Sequence, residues 1–150
     1  MYQKILVPVD GSETATLGLQ EAIKLAKGVG ATLKAINVVN ELIMVDNAYA
    51  PQSFYDQVIA ARRKGGAKLL ETAQAAARAN GVELQVELLD TVGGPADQIV
   101  AYAKQWGADL IVMGTHGRRG LRRLALGSDA EMVLRSATVP VLFVRGKAEE

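Results

Sequence analysis

Residues 110–128 read LIVMGTHGRRGLRRLALGS. The first four residues form an aliphatic run typical of a buried strand, and a segment of helical period begins near Ser128. The loop between them is rich in glycine, which lets backbone N–H groups approach an anion closely. The N-terminus of the following helix adds unpaired donors and a partial positive charge. A strand, a glycine-rich loop and a helix in this order predict a phosphate-binding site.

The rest of the chain alternates short aliphatic runs with longer segments of helical period. This alternation is typical of a parallel sheet that is covered by helices on both faces. The expected strands are residues 4–9, 32–38, 83–88, 110–113 and 141–144. The sequence therefore predicts an open, three-layer α/β fold with five strands and four helices.

Apolar spacing places the four helices between these strands. In the first helix, one stripe is expected to face the sheet: Ala15, Leu19, Ala22, Ile23 and Ala26. The second helix is expected over about 67–80, and its start is left open, because Gly65-Gly66 can either break or bend a longer helix that begins near Asp56. The third has Pro95 in its first turn, and the fourth runs from Ser128 to about residue 137.

A long irregular segment, residues 40–55, is expected between the second strand and the second helix. A loop of this length in a compact domain is either a lid or interaction segment, or disordered.

Length and composition exclude several classes of protein. With 150 residues, the chain is expected to form one domain over residues 1–150. The net charge of +1 gives no overall attraction to nucleic acid or anionic lipid. The absence of cysteine excludes disulfides, cysteine zinc sites and thiol catalysis, and a single histidine, His116, excludes sites that need two imidazoles.

The apolar runs are also far shorter than the roughly 18 residues that a membrane span needs. No membrane insertion is expected, and the N-terminus lacks the apolar region of a signal peptide, so a cytoplasmic location is expected.

The glycine pattern of the loop distinguishes it from two common phosphate-binding motifs. The Walker A lysine is missing at its required spacing, and no G-x-G-x-x-G follows the first strand. The spacing that is present, G-x2-G-x9-G-[ST], is formed by Gly114, Gly117, Gly127 and Ser128. It resembles the nucleotide-binding signature of the universal stress protein family.

This resemblance covers essentially the whole chain. It includes ILVPVDGSE at 5–13, ADLIVMGTHGRRGL at 108–121, LGS at 126–128 and VPVLFVR at 139–145. Members with the complete signature bind ATP. The resemblance implies a Rossmann-like sheet, similar to the adenine nucleotide alpha hydrolases, with strand order 3-2-1-4-5.

With that order, the first and fourth strands adjoin and bring Asp10 beside the glycine loop. By resemblance, the four signature residues hold the phosphates, Asp10 faces the ribose or the phosphate–metal region, and the backbone of Val38 meets the adenine. The adjacent residues expected in the site are Pro8, Val9, Met113, His116 and Arg118. Mg2+ or Mn2+ is expected with the ATP, with Asp10 as a direct or an indirect contact of the metal. Many relatives have a histidine before the valine that corresponds to Val38, whereas this chain has Asn37.

Structural alternatives accompany these assignments. Asp10 can end a strand and cap a helix, and Ser128 can form an S-x-x-E capping box with Glu131, a role compatible with phosphate binding. His116 is expected to form local hydrogen bonds without acting as a catalyst, and Gly94-Pro95 to start a helix without a chemical role.

Four arginines lie within six residues of the loop: Arg118, Arg119, Arg122 and Arg123. They either assist phosphate binding or form a solvated loop. Nucleic-acid binding is disfavoured because the chain has seven aromatic residues and almost no net charge.

These features favour an ATP-binding regulator of the stress response without rapid catalysis, acting on a downstream protein partner that the sequence does not identify. The alternatives are a slow ATPase or autophosphorylating phosphotransferase, and an interaction protein without nucleotide.

The final strand, residues 139–144, is apolar on both faces and lies at a sheet edge in the expected order. A homodimer through this strand is expected, unless residues 146–150 cover the edge.

Overall fold

The computed structural model describes residues 1–44, 50–116 and 126–146. Its strands are β1 (Lys4–Pro8), β2 (Thr32–Asn40), β3 (Leu84–Thr91), β4 (Leu110–Gly114) and β5 (Val141–Val144). Its helices are α1 (Glu13–Val29), α2 (Gln52–Ala79), α3 (Ala96–Trp106) and α4 (Ser128–Ser136). The strands form one parallel sheet in the order β3-β2-β1-β4-β5. The α/β fold and the strand order inferred from the resemblance are confirmed.

The sheet is buried on both faces because helices cover each side. Ile5 and Val7 of β1 face a core that includes side chains of α1 and α2. Leu6, between them, faces a second core that includes side chains of α3 and α4. All three side chains are fully buried, and burying each one stabilises the fold by about 1.5–3 kcal/mol. Burial on both faces therefore holds the carboxyl ends of the central strands in place.

Helix α1 begins and ends at capped positions. The Ser12 hydroxyl accepts a hydrogen bond from the backbone N–H of Ala15 at 3.2 Å. Gly30, which follows the helix, has a left-handed backbone with φ of 72° and donates to the Ala26 carbonyl. All five residues of the predicted apolar stripe are buried, which confirms that prediction.

Helix α2 is much longer than the predicted 67–80, because it begins at Gln52 and continues through Gly65-Gly66. The longer helix is therefore the one that forms, and these glycines do not break it. A Cβ on Gly66 would lie 2.8 Å from Leu88 Cδ1 and closer still to Asn37 Oδ1, whereas a Cβ on Gly65 would meet open space. Gly66 therefore allows α2 to approach the sheet closely without interrupting the helix.

Several other boundaries also differ from the sequence prediction. β2 and β3 extend to residues 40 and 91, because their pairing continues to Asn40 opposite Thr91. β3 begins at 84, β4 includes Gly114, and α4 ends at 136. β1 ends at Pro8, although the Val9 N–H still donates to the Ile36 carbonyl at 2.9 Å. The predicted loop 40–55 is thus reduced to residues 41–51, of which 45–49 lie outside the described residues.

The predicted capping box at Ser128 is also wrong. Gly127 is the N-cap residue of α4, with an extended backbone, and its carbonyl accepts the N–H of Glu131 at 2.9 Å. Ser128 is instead the first helical residue.

No described helix is both long and apolar enough to cross a membrane.

Candidate functional site

A pocket opens at the carboxyl ends of β1, β2 and β4, beside the N-termini of α3 and α4. The space between its walls is about 550 Å³ when the open solvent at the mouth is included. Most of its lining is apolar and two carboxylates face it. The lining residues are Pro8, Val9, Asp10, Ala15, Asn37, Val38, Pro95, Ile99, Met113, Gly114, His116, Asp129 and Ala130.

Seven of the residues that the sequence assigned to the site therefore line one pocket: Pro8, Val9, Asp10, Val38, Met113, Gly114 and His116. Gly127 and Ser128 precede Asp129 at the start of α4. Gly117 and Arg118 lie outside the described residues, as do Arg119, Arg122 and Arg123. The pairing of β1 with β4 accounts for the convergence, because it places residues about 100 positions apart along one crevice.

Asp10 is oriented by the turn that joins β1 to α1. Its Oδ1 accepts a hydrogen bond from the Ser12 N–H at 2.9 Å, across Gly11, whose φ is 83°. The carboxylate thus supports the turn and also lines the pocket. The cap of α1 itself is the Ser12 hydroxyl.

Gly114 lies where the start of α1 crosses the end of β4. A Cβ on Gly114 would lie 2.5 Å from Thr14 Oγ1 and 2.8 Å from Ala15 N. Gly18, one turn further along α1, also lies against the backbone of Gly114. The Thr14 hydroxyl donates to the His116 carbonyl. Glycine is therefore needed at residue 114 for a structural reason, because α1 packs closely against the strand there.

Backbone hydrogen bonds bring both ends of the glycine-rich loop together. Gly127 N–H donates to the Thr115 carbonyl at 2.7 Å, and Thr115 N–H donates to the Val144 carbonyl at 3.0 Å. The N-terminus of α4 is thereby fixed next to the end of β4. His116 Nδ1 lies 3.0 Å from the Thr115 hydroxyl, which agrees with the expected local hydrogen bond.

Asn37 connects β2 to the end of β1 at the far side of the pocket. Its buried amide Nδ2 donates to the Val9 carbonyl at 2.8 Å. Its Oδ1 faces Gly66 of α2. The neighbouring Val38 also lines the pocket. Asn37 was expected only to depart from the family pattern, and the structure places it in the pocket wall.

Asp129 is the functional candidate that the sequence analysis missed. It is half-buried in the first turn of α4, and its Oδ1 lies 3.7 Å from where a Cβ on Gly94 would stand. Burial raises the pKa of its carboxyl, and the nearby charge of Asp10 raises this pKa further. The only signal in the sequence was an acidic residue directly after the glycine–serine pair, which is also common in a helix first turn.

Pro95 and Ile99 of the α3 region were also missed. Gly94-Pro95 was expected only to start a helix, whereas Pro95 also lines the pocket. The available signal was its position after β3, at the same edge of the sheet as the other strand ends.

Comparison with known proteins gives matches to one family over nearly the whole chain. The model of the universal stress protein family matches residues 1–145. Universal stress protein YxiE from Bacillus subtilis is 37% identical, over 97% of this chain and all of that protein. Universal stress protein UspA from Lactobacillus plantarum superposes with a TM-score of 0.83 at 28% identity, over 96% of this chain and 98% of that one.

Two similar structures contain adenine nucleotides. A universal stress protein in complex with cAMP has a TM-score of 0.67 at 27% identity, and covers 95% of this chain and 97% of its own. The Archaeoglobus fulgidus protein in complex with dAMP has a TM-score of 0.65 at 26% identity, with coverage of 95% and 98%. From its fold, its motif residues and these matches, the chain belongs to the universal stress protein family.

Proposed function

We propose that this chain binds ATP in the pocket and acts in the stress response as a nucleotide-dependent regulator of a downstream protein. The observation that carries the proposal is the convergence of three features in one crevice: apolar walls, the carboxylate of Asp10 and the N-terminus of α4. Relatives in complex with cAMP and dAMP support an adenine nucleotide as the ligand.

The nucleotide would lie across the sheet edge with its base towards β2. Val38 would meet the adenine through its backbone, beside the apolar surfaces of Pro8 and Ile99. Asp10 would accept a hydrogen bond from the ribose. Phosphate oxygens would accept from the backbone N–H groups at the start of α4, where Gly127 and Ser128 lie.

The residues present fit a divalent cation that arrives with the nucleotide. Asp10 and Asp129 provide hard carboxylate oxygens on the same pocket. Among the described residues no group of three or more His, Cys, Asp and Glu side chains could hold a metal. Mg2+ or Mn2+ would therefore complete its coordination with phosphate oxygens and water, and would neutralise the charge of the triphosphate.

The protein would also form a cytoplasmic homodimer through β5. This strand lies at the sheet edge, and its Leu142 is 42% exposed. Met132 and Leu134 of α4 are exposed apolar residues as well. Pairing of two β5 strands about a two-fold axis would give hydrogen-bond partners to the unpaired N–H and C=O groups of the open edge.

Calorimetric titration with ATP tests the binding proposal, and Gly117→Val is the informative variant. A branched side chain at that position would block the approach of phosphate to the backbone, so we expect binding to be lost with the fold intact. Gly28→Val, at an exposed position of α1 where an added Cβ meets nothing, is the matched control and should bind as the wild type does. Unchanged affinity in a folded Gly117→Val protein would contradict the assignment.

Radiolabelled ATP distinguishes a binding protein from a slow ATPase. Retention of intact ATP over hours supports the binding protein. Steady release of phosphate that is abolished by Asp10→Ala would support the enzyme.

A further inference from the structure

The described part of the pocket lining is acidic, although we assign phosphate groups to this pocket. The described lining residues include two carboxylates, Asp10 and Asp129, and neither lysine nor arginine. The remaining titratable lining residue is His116. A triphosphate that enters this pocket therefore meets negative charge on two sides.

Asp129 is placed to affect phosphate more directly than Asp10. It follows Gly127 and Ser128 at the start of α4, the end of the helix that we assign to phosphate. Its carboxylate therefore places negative charge beside the backbone N–H groups that would donate to phosphate.

We propose that Asp129 is a specificity-determining residue that makes the site select nucleotides by charge. It disfavours phosphate groups whose charge is uncompensated, and favours a nucleotide that brings a divalent cation or carries little charge. The inference rests on the proposed function, because it concerns the same site.

The surroundings of Asp129 leave its charge uncompensated within the described structure. The β1–α1 turn presents Asp10, and the β3–α3 turn presents the uncharged Gly94 and Pro95. Within α4, Arg135 is paired with Glu131 at 2.7 Å. The raised pKa of the Asp129 carboxyl agrees with this arrangement, because burial and Asp10 already disfavour its charged form.

Calorimetric titration of Asp129→Asn against a charge series tests the proposal. The ligands are adenosine, AMP, ADP and ATP in a chelating buffer, and ATP again with excess Mg2+. We expect Asp129→Asn to bind metal-free ATP about tenfold more tightly than the wild type, the size of one partly screened charge interaction. The gain should decrease through ADP and AMP, stay within about twofold for adenosine, and be much smaller for ATP with Mg2+.

Asp97→Asn is the matched control, because Asp97 is an exposed acidic residue in the first turn of α3 and does not line the pocket. It should leave every affinity unchanged. Asp129→Glu should restore the discrimination against metal-free ATP. A thermal melt of each variant verifies that it is folded.

The outcomes separate the two proposals. If the wild type binds ATP but Asp129→Asn changes adenosine and ATP affinities equally, or changes neither, the charge-selection role is refuted and the binding function stands. If no ligand of the series binds the wild type, the proposed function is itself refuted and the role of Asp129 is refuted with it.

Discussion

The two adjacent glycines of α2 offer a sharp test of how the fold positions the pocket. At Gly65, an added Cβ has no heavy atom within 4 Å. Gly65→Ala therefore gains helix propensity alone, and we expect it to stabilise the protein by about 0.5–1 kcal/mol. The melting temperature should rise by roughly 2–4 °C per kcal/mol in a chain of this size.

Gly66→Ala is chemically the same substitution with the opposite expected result. Its Cβ would lie 3.1 Å from Asn37 Cγ, 2.8 Å from Leu88 Cδ1 and closer still to Asn37 Oδ1. Overpacking costs about 1–3 kcal/mol. Displacing Asn37 from the Val9 carbonyl costs about 1–3 kcal/mol more, because both groups are buried. After the gain in helix propensity, we expect a net destabilisation of about 1–5 kcal/mol.

Urea unfolding and thermal melts of the two variants measure this difference. Because Asn37 lines the pocket, Gly66→Ala should also weaken nucleotide binding, whereas Gly65→Ala should not. A double-mutant cycle with Asn37→Ala should recover part of the lost stability, since it removes one of the two clashing side chains. If Gly66→Ala proves as stabilising as Gly65→Ala, the close approach of α2 to Asn37 is refuted.

Three further predictions concern stability and assembly. The raised pKa of Asp129 means that the folded state binds the carboxyl proton more tightly than the unfolded state does. The ionised carboxylate therefore lowers the stability of the protein as the pH rises above the ordinary pKa of 3.8. Urea unfolding at pH 7 should find Asp129→Asn more stable than the wild type, and equal stability would contradict this. Gly114→Ala should destabilise by about 1–3 kcal/mol, because its Cβ would clash with Thr14, whereas Gly28→Ala should not destabilise. Leu142→Lys should convert the proposed homodimer to a monomer in light scattering, and a dimer that survives the substitution would argue against pairing through β5.

The sequence predicted the parts of the fold that depend on local patterns. β5 was predicted at its observed bounds, 141–144, from a short apolar run. The buried stripe of α1 followed from helical spacing. The strand order came from the family resemblance, since the spacing of apolar residues does not determine which strands adjoin.

Tertiary contacts decided the features that the sequence analysis missed. Low helix propensity at Gly65-Gly66 is a local signal, whereas the need for glycine at residue 66 comes from Asn37 and Leu88 in the sheet. Gly114 was assigned to phosphate, yet its contact with Thr14 depends on how α1 crosses β4. An acidic residue is common in the first turn of a helix, so the position of Asp129 in the sequence did not indicate that it lies near Asp10.

The most direct test of the proposed function is a crystal structure of the protein grown with ATP and Mg2+. We expect adenine against the backbone of Val38, the ribose near Asp10, and phosphate oxygens within hydrogen-bonding distance of the backbone N–H groups that begin α4. A pocket that stays empty at saturating ATP, or a nucleotide bound elsewhere on the molecule, would contradict the proposed site.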